Sequence, residues 1–217
     1  AAEAQDVDLL VFPELTLSLT VQAHLCCWLL DRYQAGAPCR IPLIVLGSFH
    51  DATCDNHRRN RSRLILGRDG SDIVLHDKFS PATLGTMTEQ FTPGQTAQLV
   101  CTPIGNLSLA ICKDCIDQYR NIWLRHLCPD WLLLPSLSDS VRLHVEATRE
   151  LWNLHRCVSA VANQPLTAET LAAPPDPAAP HLDYVHADSG TLANDAFRNH
   201  SGVLWVKTVY ISGNKNK

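Results

Sequence analysis

An α/β fold built on mixed sheet follows from three features of this 217-residue chain. Short apolar runs suited to buried strands alternate with helical segments, which is the α/β pattern. Two hairpins interrupt that alternation, so a purely parallel sheet is excluded. The length, with 46% hydrophobic and 18% charged residues, suffices for one sizeable core without disulfide or metal staples.

The first strand is expected at Val7–Phe12, where Pro13 stops an apolar run and Glu14 lies just beyond its end. Residues 17–35 carry apolar side chains nearly all round, predicting a largely covered helix ended by Gly36-Ala-Pro38. Pro42–Phe49 reads as a second buried strand, and polar residues 51–61 as an exposed loop. Arg63–His76 reads as a hairpin turning at Asp69-Gly70, with Lys78 following. Residues 80–97, with Pro81, Gly85, Pro93 and Gly94, predict a long loop of the kind that usually carries function. Leu99–Cys101 and Leu107–Ile111 flank Gly105-Asn106 as a further hairpin, from whose end Cys112 emerges. A helix is expected over 117–127, a strand over 131–134 broken by Pro135, an amphipathic helix over 142–158 and a strand over 158–162. The Pro- and Ala-rich stretch 165–200 reads as an extended loop or insertion, and 201–217 as a closing strand and tail after a 1–164 core.

Three reactive side chains share one position type, the residue just past an apolar strand: Glu14, Lys78 and Cys112. Strand ends hold side chains rigidly while presenting them at a sheet rim, which suits catalysis. A carboxylate can take a thiol proton, an ammonium can stabilise an oxyanion, and backbone N–H groups after Cys112 can add to that stabilisation.

The surrounding sequence resembles the nitrilase superfamily of carbon–nitrogen hydrolases. The resemblance rests on Asp8-Leu-Leu-Val-Phe-Pro-Glu14, on Asn60 with the Asp69-Gly70 hairpin and Lys78, and on Leu109-Ala-Ile-Cys-Lys-Asp114. It continues through Leu132-Leu-Leu-Pro-Ser136, Trp152, Arg156 and Ala162-Asn-Gln164, covering roughly residues 6–164. It implies a four-layer αββα sandwich of two mixed sheets, with the family's first strand and helix absent from this sequence. It also implies cysteine-dependent hydrolysis of a non-peptide carbon–nitrogen bond, in a linear amide rather than a nitrile, through a thioester. Carried over, Glu14 is the base, Lys78 the oxyanion stabiliser and Cys112 the nucleophile; Glu89 stands where many members carry a second glutamate. No metal or organic cofactor is implied. The expected partners are a small amide or nitrile substrate and either a second copy of the chain or further domains of a longer one.

Rival readings use the same residues. Cys112-Lys-Asp-Cys115 with Cys54 and His57 has the ligand types of a zinc site, and Cys115 alone reads as core packing. A non-catalytic sensing, binding or assembly domain of a larger protein is the main alternative function. His144 and His155 receive no catalytic role, and Arg58, Arg59, Arg61 and Arg63 read as a solvated loop. A net charge of −4 argues against nucleic acid, and no apolar run is long enough to span a membrane. The N-terminal residues lack the pattern of a signal peptide. Nine cysteines, an odd number, several within apolar runs, point to a reducing, cytoplasmic setting.

Overall fold

The computed structural model describes residues 7–52, 58–84, 87–117, 122–138, 141–164, 182–186 and 205–210. One sheet has the order β1 (Leu9–Val11), β2 (Leu43–Ala52), β3 (Arg58–Leu66) and β4 (Asp72–Asp77). Its β1–β2 pair is parallel and the others antiparallel. The second sheet joins β7 (Thr96–Thr102), β8 (Gly105–Leu109), β9 (Trp131–Leu137), β10 (Val158–Gln164), β11 (Leu182–His186) and β12 (Trp205–Tyr210). Its order is β11-β10-β9-β8-β7-β12, with β8, β9 and β10 parallel to one another.

Side-chain alternation assigns the layers. Leu43 and Val45 of β2, with Leu64 and Val74, meet Leu107, Leu109 and Leu133 of the second sheet. The alternate residues Ile44, Leu46 and Ile65 face Leu29 of α1 (Leu19–Gln34). On the far side, Leu132, Leu134 and Val161 pack under Trp123 and Leu124 of α3 (Ile122–Leu127) and Leu151 of α4 (Arg142–His155). Both faces of the central strands are thus buried, which explains their near-continuous apolar runs. The result is the expected four-layer sandwich.

Several local expectations are corrected. Residues 58–61 are not loop: β3 starts at Arg58, because Arg59, Arg61 and Arg63 occupy its outer face and form ion pairs there. Helix α1 buries only Gln22 and Leu29, since a single sheet beneath it covers one stripe; Leu19, Val21, Trp28, Leu30 and Tyr33 stay exposed. The 80–97 segment contains a small hairpin of β5 (Thr83–Leu84) and β6 (Met87–Thr88). In place of one helix over 117–127 there are α2 (Lys113–Ile116) and α3, with 118–121 outside the described residues. Helix α4 stops at His155 because Arg156 turns left-handed at φ 59° and its N–H caps the Trp152 carbonyl.

Pro135 does not break β9. Beyond the end of β8 its flank meets Cys112, whose N–H donates to the Pro135 carbonyl at 2.9 Å, so pairing on that side continues through the proline's acceptor. Within the Pro/Ala-rich stretch, 182–186 pairs antiparallel with β10. The rest of 165–200 lies outside the described residues.

Candidate active site

The site is assembled where strands of both sheets end. Glu14 follows β1, its amide donating to the Ser136 carbonyl at 3.3 Å while Leu15, at φ 57°, donates to Ser48 at 3.1 Å. The Pro13–Glu14 backbone passes so close to Gly47 (φ 71°) that a Cβ there would collide with the Pro13 carbonyl oxygen. Glycine is therefore required at that turn of β2. Lys78 follows β4, its amide donating to the Asn60 carbonyl at 2.8 Å and its carbonyl accepting from Gly94 at 2.9 Å. Glu89 comes from the loop after β6, where its carboxylate accepts from the Ala82 amide at 2.7 Å.

These three charged groups converge. Lys78 Nζ donates to Glu14 Oε1 and to Glu89 Oε2, each at 2.7 Å. Asn60 Nδ2 bridges the same two acids, at 2.9 Å to Glu14 Oε1 and 3.1 Å to Glu89 Oε1. Glu14 is 2% and Lys78 1% exposed. An unpaired charge at such a depth would be prohibitive, and the hydrogen-bonded cluster compensates it.

The environment separates the protonation behaviour of the two acids. Burial pushes the Glu14 carboxyl above its ordinary 4.5, outweighing the adjoining Lys78 ammonium. Glu89 also feels burial, but His50, Lys78 and the Ala82 amide together bring it down to about 2. Burial opposes the Lys78 ammonium, yet Glu14, Cys112 and Glu89 raise it further above 10.5.

Cys112 occupies the turn between β8 and α2, at φ 46° and ψ −103°, a strained conformation for a non-glycine residue. It is 5% exposed. Its thiol faces the Leu137 carbonyl at 3.7 Å. Burial and the Glu14 charge push the thiol up to about 12, with Lys78 and Ser136 acting in the opposite direction. All four sequence-predicted residues therefore fall in one electrostatically connected cluster. The Asp114 and Cys115 amides are committed to turn bonds with Ile111 and Cys112; the Lys113 amide is in neither bond.

Three contributors were not singled out for the site from sequence. Ser136 holds the Glu14 amide, influences the Cys112 thiol, and places its hydroxyl 3.2 Å from His144 Nε2. His50 Nε2 lies 3.7 Å from Glu89 Oε1. Asp114 is wholly buried beside the Cys112 turn. A polar serine ending an otherwise apolar strand is the one signal that pointed toward Ser136. Of the rival zinc set, Cys54 and His57 lie outside the described residues, and Cys115 packs into the core beneath α4. Among the described residues, no helix is long and apolar enough to cross a membrane.

Comparison with known proteins agrees with this architecture. An amidase from Nesterenkonia sp. AN1, with the acetamide moiety of fluoroacetamide added covalently at its active-site cysteine, superposes with a TM-score of 0.58 at 18% identity. The match covers 75% of this chain and 65% of the amidase, so the chain spans just under two thirds of that relative. The glutamine-dependent NAD+ synthetase of Acinetobacter baumannii matches with a TM-score of 0.56 at 21% identity, over 75% of this chain and 33% of that one. At these identities the likeness concerns the fold. No curated protein matches. The carbon–nitrogen hydrolase model matches residues 1–125, more than half of the sequence, and the chain belongs to the carbon–nitrogen hydrolase family.

Proposed function

We propose that the protein hydrolyses a linear amide by nucleophilic catalysis at Cys112. The observation that carries this reading is the buried convergence of Glu14 and Glu89 on Lys78, with Cys112 in the same electrostatic cluster. The resting sulfur is a neutral thiol, because its pKa is pushed far above neutrality. Attack therefore needs a base at the moment of reaction, and Glu14, the acid raised by burial, is the better matched of the two. Glu89 stays ionised down to about pH 2, so it anchors the Lys78 ammonium rather than moving protons.

In this scheme the Cys112 sulfur bonds to the amide carbon as Glu14 takes the thiol proton. The Lys78 ammonium, joined by the Lys113 amide, stabilises the oxyanion. Glu14 returns its proton to the nitrogen, the carbon–nitrogen bond breaks, and ammonia or an amine leaves behind a thioester. Glu14 next removes a proton from water, whose oxygen attacks the thioester carbon. Carboxylic acid departs, the sulfur recovers its proton, and the cycle closes with no redox change. An amide is preferred to a nitrile because the Nesterenkonia amidase, which shares the fold, carries the acetamide moiety of fluoroacetamide on its active-site cysteine.

The test is intact mass after incubation with a panel of small amides. An acyl adduct present on the wild-type chain and absent from Cys112→Ala is the expected result. No adduct and no turnover across a broad panel would instead favour a non-catalytic binding domain.

A further inference from the structure

Asp114 is wholly buried, two residues past Cys112, and the proposed chemistry gives it no step. Its carboxylate joins two separate chain segments. Oδ1 accepts from the amides of Phe79 at 2.9 Å and Ser80 at 2.8 Å, the two residues directly after Lys78. Oδ2 accepts from the amide of Ile111 at 3.2 Å, the residue directly before Cys112. The same oxygen lies 3.4 Å from Nε2 of His76, two residues before Lys78. One side chain therefore holds the backbone just after Lys78, meets the His76 ring just before it, and holds the approach to Cys112.

The surroundings make this connection stiff. His76, Phe79 and Trp123 wall it with ring contacts at centroid separations of 5.0, 5.3 and 6.1 Å. The left-handed Cys112 persists only if neighbouring bonds over-determine it, and the Asp114 amide also closes that turn on the Ile111 carbonyl at 3.0 Å. Asparagine at this position keeps the shape but replaces one acceptor oxygen by an NH2 group. That group would oppose the N–H donors now served by the oxygen it replaces.

We propose that Asp114 is a positioning residue, a clamp that fixes the separation between the Lys78 ammonium and the Cys112 sulfur. The proposal rests on the reading of Cys112 as the nucleophile. A displacement of about 1 Å at a reacting centre is worth roughly a hundredfold in rate, so a clamp of this kind is visible in Cys112 reactivity.

The test is the second-order rate of Cys112 alkylation by chloroacetamide as a function of pH, read by peptide mass. Exposed Cys27 and Cys128 serve as internal standards in the same samples. Asp114→Asn is expected to slow Cys112 by about tenfold or more and to flatten its acid limb, leaving Cys27 and Cys128 unchanged. His76→Gln, which keeps a donor toward Oδ2, is expected to stay within about twofold of wild type. Wild-type rate and pH profile in Asp114→Asn would overturn the clamp, even if that variant melts earlier. If Asp114→Asn does not fold, buried Cys115 and Cys157 will label as fast as Cys27, and wild-type hydrogen exchange decides instead. Phe79, Ser80 and Ile111 amides exchanging together, with protection near that of the core, support the clamp; Phe79 and Ser80 exchanging far ahead of Ile111 overturn it. A wild-type Cys112 no faster than Cys27 would defeat the nucleophile reading, while the exchange result would still decide the clamp.

Discussion

On the outer face of β3, Arg59 and Arg61 reach Asp77 at 2.7 Å, and Arg63 reaches Asp72 at 2.9 Å. On its inner face, Asn60 spans Glu14 and Glu89 while the adjoining Lys78 lies within 2.7 Å of both acids. The distances are alike, but the settings are not. The outer pairs keep partial contact with water, which screens them and leaves each worth about 0–1 kcal/mol. The inner cluster is buried and has one lysine for two acids, so removing Lys78 leaves two carboxyl groups facing each other without their cation. Alternation along a single strand thus separates charges that decorate a surface from charges that enforce a protonation pattern.

Lys78→Met should break this contrast most visibly. Without the ammonium, Glu14 and Glu89 face each other in a buried site, and the loss is expected at about 3–5 kcal/mol by denaturant unfolding, with Cys112 adduct formation abolished. Acid titration of stability sharpens the comparison next, because the two inner acids act with opposite sign. Glu89, lowered to about 2, stabilises the fold above the ordinary carboxylate range, and that contribution is lost as pH falls toward 2. Glu14 is raised, so folding favours its protonated form; its contribution is present below 4.5 and is lost as pH rises through its folded pKa. Wild-type protein should therefore lose stability in acid less steeply than Glu14→Gln, and Glu89→Gln should lose it least steeply, when midpoints are followed from pH 6 to about pH 2. Arg63→Ala, on the outer face, should shift stability by no more than about 1 kcal/mol and leave Cys112 reactivity unchanged. A larger outer-face effect would remove the distinction.

Much of this arrangement is legible in the residues themselves. Apolar runs such as Pro42–Phe49 and Leu132–Leu134 announce strands buried on both faces, and Glu14, Lys78 and Cys112 stand where such strands end. Local signals failed where a distant partner decides the outcome. Arg58–Arg61 looks like solvated loop until Asp51 and Asp77 are seen across the outer face. Pro135 looks like a terminator until Cys112 supplies the one donor its carbonyl needs. Helix α1 looks covered because its apolar residues surround it, yet the buried part is the stripe over Ile44 and Leu46. Asp114 was visible only as part of a Cys-x-Asp pattern, since its partners Phe79 and Ser80 lie more than thirty residues away along the chain.

The division of labour between thiol and base is tested most directly by the pH profile of Cys112 acylation in wild type and in Glu14→Gln. If Glu14 is the base for a thiol whose own pKa is near 12, wild-type acylation should fall in acid with a midpoint above 4.5. Glu14→Gln should then lose about 10²–10⁴-fold at neutral pH, together with that acid limb. Identical profiles in the two proteins, rising only as the solution approaches the thiol's own pKa, would contradict it.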